Sequence, residues 1–208
     1  MILILGDSLS AAYGLPQQAG WPALLQQRLR DHGFPHGVVN ASISGETSDG
    51  GRLRLPGLLQ RHRPTVVVIA LGANDGLRGL PLSHLRVNLE AMIEQARDNG
   101  AAVILMAPRL PPNYGPYADD FHRLYHDLGQ RHSVPVVDFL AAFGARREFF
   151  QADGLHPTAA AQPLILDALW PALEPRLAST PHARPAPPPP HGMPAGEPNG
   201  SSRADDNG

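Results

Sequence analysis

Residues 65–71 read "TVVVIAL", a β-branched run that is apolar on both faces and bounded by turn residues. A strand with one face in water alternates polar and apolar positions. This one does not, so it predicts a strand covered on both sides, as in a parallel sheet. Short apolar runs of the same kind recur on either side. Ile2–Leu5 is the first strand, Val38-Val39 opens a second that ends near "NASISGETS", and Ala102–Met106 and Val134–Val137 supply the fourth and fifth. Between them lie helical patterns. "GWPALLQQRLRDHG" carries Pro22 in its first turn and Gly33 past its end, the asymmetry expected of helix termini. A helix over roughly Ser83–Asn99 stops at Gly100, and another spans about Ala118–His132. The latter buries Phe121, Leu124, Tyr125 and Leu128 at i, i+3, i+4 and i+7. A final helix is expected at about Thr158–Leu173, with Pro163 kinking it or delaying its start. Strand and helix in alternation predict a doubly wound α/β fold: three layers, with a five-stranded parallel sheet at the centre.

The chain has 208 residues, and its composition divides it in two. The stretch 1–177 fits one domain with a single core. From 178 to 208 the text turns rich in Pro, Gly and Ser, with one Met as its only large apolar residue. That segment has too little apolar surface to offset its ordering entropy, so it is expected to be disordered. The formal net charge is −2, and no basic run tracks a phosphate backbone. Nucleic acid is therefore not expected as a partner. There is no cysteine, which excludes disulfides, thiolate metal sites and cysteine nucleophiles. No apolar run reaches the ~18 residues that span a bilayer, and "MILIL" has neither a basic n-region nor a cleavage site. As written, the chain reads as cytoplasmic. A start placed upstream would make it an exported, periplasmic protein.

In open parallel sheets ligands bind beyond the carboxyl ends of the strands, so the residues that follow each strand carry the argument. After the first comes Gly6-Asp7-Ser8-Leu9-Ser10, after the second Ser44-Gly45-Glu46-Thr47, and after the third Gly72-Ala73-Asn74-Asp75. The fourth leads into "PRLPPNYGPYA", and well beyond the fifth lies Asp153-Gly154-Leu155-His156. One sheet edge thus collects the parts of an acyl-transfer site. A serine hydroxyl is a weak nucleophile until a base takes its proton, and His156 is the obvious base for Ser8. Asp153 can accept from the other ring nitrogen and fix the tautomer. The Ser8 N–H, the Gly45 N–H and the Asn74 side-chain amide are three candidate donors to an oxyanion. Taken singly, each residue has a plainer reading as a helix cap, a turn glycine or an exposed loop. The plain readings are independent of one another, whereas a hydrolase predicts all of them, in order, on one edge.

On "GDSLS", Gly45 in "SISGETS", Asn74 in "LGANDG" and Asp153 and His156 in "DGLHP", the chain resembles the SGNH, or GDSL, hydrolases. The likeness covers about residues 2–175 and is greatest to the bacterial thioesterase, lysophospholipase and arylesterase members. The resemblance implies a flavodoxin-like fold of the SGNH type, with Ser8 as nucleophile, His156 as base and Asp153 as its orienting acid. Ser8, Gly45 and Asn74 would form the oxyanion hole, and no metal or organic cofactor would be needed. It also implies that the loop Gly76–Pro81, with Leu77, gates the substrate. Ala73 departs from the family, standing where close relatives often have glycine.

The expected substrate is a small-molecule acyl ester or thioester, lysophospholipid among them, handled by a monomer. Leu110 and Tyr114, in the loop after the fourth strand, either line an acyl-chain groove or plug the sheet edge. His122 and His126 lie at i, i+4 on one helix, a spacing zinc can use, but they read as a solvated face. Three rivals stay open at this point. One is an acetylesterase of the same family, and another is a binding module on the same fold. The third is a magnesium-dependent phosphotransferase using Asp7 and Asp75 as ligands.

Overall fold

The computed structural model describes residues 1–140 and 143–178. The expected disorder of the Pro-rich tail falls beyond residue 178, outside the described residues. Five strands form one sheet: β1 (Ile2–Gly6), β2 (Val38–Asn40), β3 (Val66–Ala70), β4 (Ala102–Ala107) and β5 (Val136–Asp138). All pairings are parallel and the order is β2-β1-β3-β4-β5. Leu3 pairs with Val39 on one side and Val67 on the other. The central strands β1 and β3 are buried at every residue, as their unbroken apolar runs predict. The edge strands β2 and β5 are only three residues long, which leaves little unpaired backbone for another chain to extend.

Alternate residues feed two cores. Leu3, Leu5, Val67, Ile69, Val103 and Leu105 point to one face, beneath α2 (Ser48–His62), α4 (Leu82–Asp98) and α5 (Pro116–His132). Ile2, Ile4, Val66, Val68, Ile104 and Met106 point to the other, beneath α1 (Trp21–Asp31) and α6 (Gln162–Ala178). The period-2 strand geometry divides the residues in this way and makes the three layers. The expected inner face of α5 is buried as read: Phe121, Leu124, Tyr125 and Leu128. Pro163 does delay the last helix. A 3₁₀ turn at Ala159–Ala161 precedes α6, which begins at Gln162 with Pro163 as its second residue. The start of α6 is joined to α1 by Gln162, whose Oε1 accepts from the buried Trp21 N–H at 3.0 Å.

Two elements differ from the sequence reading. α2 is a 15-residue helix where no helix is expected, because Pro56 and three glycines interrupt its propensity. Its packing outweighs that cost: Ser48, Gly51, Leu55 and Leu59, at helical spacing, are all buried. The turn after β3 is also partly helical, as the short α3 (Ala73–Leu77). The chain turns to opposite sides of β1 on its way to β2 and to β3, so the crevice of this topology opens where β1 and β3 end. Ser8 and Asn74 stand there.

Candidate active site

The first turn after β1 is shaped by Asp7. Its backbone carbonyl accepts from the Ser10 and Ala11 N–H groups, and its Oδ1 accepts from the Leu9 N–H at 3.0 Å. This closed turn lifts Ser8 off the strand end. The second half of the site is a tight loop in which the Gln151 N–H donates to the His156 carbonyl at 2.8 Å and Phe150 bridges Pro157. Within it the Asp153 carboxylate is fully engaged. Oδ1 accepts from the Leu155 and His156 N–H groups at 2.9 and 3.0 Å, and Oδ2 lies 2.6 Å from His156 Nδ1. The His156 N–H, then its imidazole, then the Leu155 N–H pull the Asp153 pKa down to about 2, since hydrogen bonds to the charged form favour it. A carboxylate only accepts, so the imidazole proton sits on Nδ1 and the Nε2 lone pair faces outward. His156 Nε2 lies 2.8 Å from Ser8 Oγ.

The opposite wall comes from the turns after β2 and β3. Gly45 has φ +81°, so the residue there must tolerate the left-handed region. Neither its N–H nor that of Ser8 donates to a protein acceptor among the described residues. The Asn74 amide donates to the Glu46 carbonyl at 3.0 Å, which leaves its second N–H hydrogen for the cleft. Arg78 also holds this turn by donating to the Gly45 carbonyl at 3.1 Å, and Arg54 pairs with Glu46. Ser8, Gly45, Asn74 and His156 line one cavity of about 340 Å³, and Leu77 and Leu110 line it too. The structure thus brings together every residue expected in the triad and the oxyanion hole. Together they can activate a hydroxyl at Ser8 and present donors to a developing oxyanion.

This geometry coincides with clear family likeness. The model of the GDSL-like lipase/acylhydrolase family matches residues 4–163. The chain belongs to this family. The chain is 50% identical over 178 residues to the esterase TesA of Pseudomonas aeruginosa, a match that covers 85% of this chain and 89% of that one. A crystal structure of TesA superposes with a TM-score of 0.82, covering 84% of this chain and 98% of that chain. The thioesterase 1/protease 1/lysophospholipase L1 of Escherichia coli K12 is 41% identical over 176 residues, covering 84% of this chain and 83% of that protein. The psychrotrophic esterase EstA of Pseudoalteromonas, solved inhibited by monoethylphosphonate, has a TM-score of 0.79 at 41% identity and covers 85% and 98% of the two chains. With its Ser-His-Asp contacts in place, the chain is an acylhydrolase of this family.

Tyr114 is placed apart from Leu77 and Leu110. Its hydroxyl donates to the Leu77 carbonyl at 2.8 Å, and its ring packs on the core beneath α5, not in the cavity lining. Two neighbours went unread in the sequence, and a third, Asp75, stands in another role than the metal ligand weighed for it. Arg147 donates to the carbonyls of Phe150, Gln151 and Ala152 and so frames the Asp153–His156 loop. Tyr13 lies against the His156 ring, centroids 4.3 Å apart. Asp75 is buried with Ser48: its Oδ2 accepts from the Ser48 N–H at 2.9 Å and its Oδ1 from Ser48 Oγ at 2.5 Å, while Asn88 donates to that hydroxyl. No local pattern marks these roles: Arg147 acts on nearby main-chain carbonyls, while Tyr13 and Asp75 meet partners far away in sequence.

The geometry bears on the metal-based readings as well. Asp7 and Asp75 are 1% and 4% exposed, and the Asp75 oxygens are already used, so the pair does not fit a solvent-accessible magnesium site. His122 and His126 bring their Nε2 atoms to 3.1 Å, but Arg109 Nη2 lies 2.9 Å from His122 Nε2. Arg109 is fixed there by two contacts to Asp138 Oδ2. A guanidinium in that place repels a metal cation.

Proposed function

We propose that this chain hydrolyses carboxylic esters and thioesters of acyl chains through an acyl-enzyme on Ser8. The observation that carries the reading is the continuous line from Asp153 Oδ2 to His156 Nδ1, at 2.6 Å, and from His156 Nε2 to Ser8 Oγ, at 2.8 Å. Ser8 Oγ attacks the substrate carbonyl while His156 Nε2 takes its proton. The charge that forms on oxygen is met by the Ser8 and Gly45 N–H groups and the Asn74 amide. Collapse of the tetrahedral adduct expels the alcohol or thiol, which leaves with the proton from His156. A water then gives its proton to the same nitrogen as it attacks the acyl carbon, and collapse of this second adduct returns that proton to Ser8 Oγ and releases the carboxylic acid.

Cavity dimensions favour substrates larger than acetyl esters. A second cavity of about 830 Å³ adjoins the first and shares Leu9, Arg109, Leu110, Pro111 and Leu155 with it. The shared wall is mostly apolar, which suits a hydrocarbon chain. The names of the relatives point the same way, including an esterase and a thioesterase/lysophospholipase. The test is hydrolysis of nitrophenyl esters from acetyl to palmitoyl, with Ser8→Ala and His156→Ala beside the wild type. Turnover that peaks at medium or long chains and is lost in both variants supports the reading. Turnover of acetyl esters alone indicates a small-ester or acetyl-sugar esterase. Activity retained by Ser8→Ala sinks the acyl-enzyme.

A further inference from the structure

Ser8 and His156 sit on loops separated by 148 positions, and the hydrogen bond between them needs both loops held in register. The structure contains a device for this. The Gln151 side chain reaches from the His156 loop to the Ser8 loop, and its Nε2 donates to the Tyr13 carbonyl at 2.8 Å and to the Pro157 carbonyl at 3.0 Å. The Gln151 backbone N–H meanwhile holds the His156 carbonyl at 2.8 Å. One residue therefore ties down the peptides of both His156 and its successor and joins them to the nucleophile's loop. Gly14 makes room for it. A Cβ there would lie 2.3 Å from Gln151 Oε1, and φ is +72°. The same crossing sets the Tyr13 ring against the His156 imidazole, with centroids 4.3 Å apart and planes inclined by 33°. Tyr13 is 51% exposed and lines the Ser8 cavity. An apolar core would not explain that exposed ring, whereas a rest for the imidazole does.

We propose that Gln151 and Tyr13 form a clasp that positions His156 over Ser8. Gln151 fixes the loop backbone through its two carbonyl contacts, and the Tyr13 ring limits how far the imidazole can rotate away from Asp153 and Ser8. Neither residue touches the reacting atoms; both act through the base. The proposal rests on the acyl-enzyme reading, and it distinguishes ring geometry from ring chemistry. Tyr13 contributes a face, so Tyr13→Phe works and Tyr13→Ala does not. Gln151 contributes a donor, so Gln151→Glu, which keeps the shape but sets a carboxylate against two carbonyls, fails as Gln151→Leu does.

The experiment uses the full chain. The kcat and KM on a nitrophenyl ester are measured for wild type, Gln151→Leu, Gln151→Glu, Tyr13→Phe and Tyr13→Ala, together with thermal melting. The proton NMR resonance of the His156 Nδ1–H, shifted downfield by Asp153, is recorded on the same samples without substrate. Small misplacements of a catalytic group cost up to about a hundredfold. The expected result is a kcat ten- to a hundredfold lower, roughly, in both Gln151 variants and in Tyr13→Ala. KM stays within about twofold, Tyr13→Phe matches wild type, and the Nδ1–H resonance is broadened or lost in the Gln151 variants. A kcat within twofold of wild type in both Gln151 variants, or an unchanged Nδ1–H resonance, overturns the clasp. A wild type inert on every ester counts against the acyl-enzyme reading, and the NMR comparison still decides the clasp.

Discussion

The Asn74 side-chain amide donates to the Glu46 carbonyl, so the donor proposed for the oxyanion also braces the turn that carries Gly45. Two of the three donors are thereby mechanically linked. Asn74→Ala removes one donor and frees the turn of another, leaving Arg78 on the Gly45 carbonyl and Arg54 on Glu46 to hold it. Loss of a single oxyanion donor typically costs about 10²–10³ in kcat, and the linkage places Asn74→Ala at or above the upper end. Arg78→Ala removes only the brace and is expected to cost about tenfold or less. Steady-state kinetics on one ester checks both; equal losses in the two variants would disprove the linkage.

Asp153 gives a pH prediction. Backbone and imidazole hydrogen bonds hold its pKa at about 2, below the ordinary carboxylate range. The stabilisation it supplies is fully present above that ordinary range, near 4, and is lost as pH falls through about 2. Across pH 5–8 the carboxylate therefore stays ionised and adds no protonation of its own to the pH dependence of kcat/KM. Asp153→Asn keeps the shape but presents an amide to Nδ1, reversing the tautomer. Its kcat should fall by about 10⁴. A kcat of Asp153→Asn within tenfold of wild type would contradict the assignment.

The strand ends were legible because each strand is a short apolar run closed by residues that cannot continue it, and a parallel sheet gathers such ends on one edge. Ser8, Gly45 and Asn74 could be placed together on that ground; Asp153 and His156, well beyond the end of β5 at Asp138, joined them through the chemistry of the set and the DGLHP motif. α2 was not legible, since Pro56 and the glycines hide a helix that packing against α4 and β1 selects. Gln151 and Arg147 act on main-chain carbonyls, and a carbonyl leaves no trace in the sequence. Whether Tyr114 lines a groove or plugs the sheet edge was not legible, since that depends on the 3₁₀ turn Pro112–Tyr114, which sets its hydroxyl on the Leu77 carbonyl.

Tyr114 and Tyr117 hold successive parts of one loop. Their hydroxyls donate to the Leu77 and Leu80 carbonyls at 2.8 and 2.7 Å, and Leu77 lines the cavity. Each such bond contributes about 0.5–1.5 kcal/mol. Tyr114→Phe and Tyr117→Phe together should lower kcat/KM for long-chain esters by roughly three- to thirtyfold. Acetyl esters, which need less of the Leu77 wall, should change little. A uniform loss over all chain lengths would show that the tyrosines support the catalytic residues and not the substrate wall.

Asp7 sits beside Ser8, 1% exposed, with its Oδ2 unpartnered among the described residues. Burial, with the charges of Asp75 and Glu46 adding to it, raises its pKa to about 7 against the pull of the Leu9 N–H. The folded state therefore keeps a proton that the unfolded chain releases near pH 4, and stability falls as pH rises from there through about 7. Asp7→Asn retains an oxygen for the Leu9 N–H and cannot ionise. The cost of an unpartnered amide donor in that variant is independent of pH, so the absolute melting temperature matters less than its trend. Between pH 5 and 8 the melting temperature of wild type should fall relative to that of Asp7→Asn by about 5 °C. Parallel melting curves for the two proteins over that range would mean that Asp7 is already ionised in the fold, and that its free oxygen is hydrated.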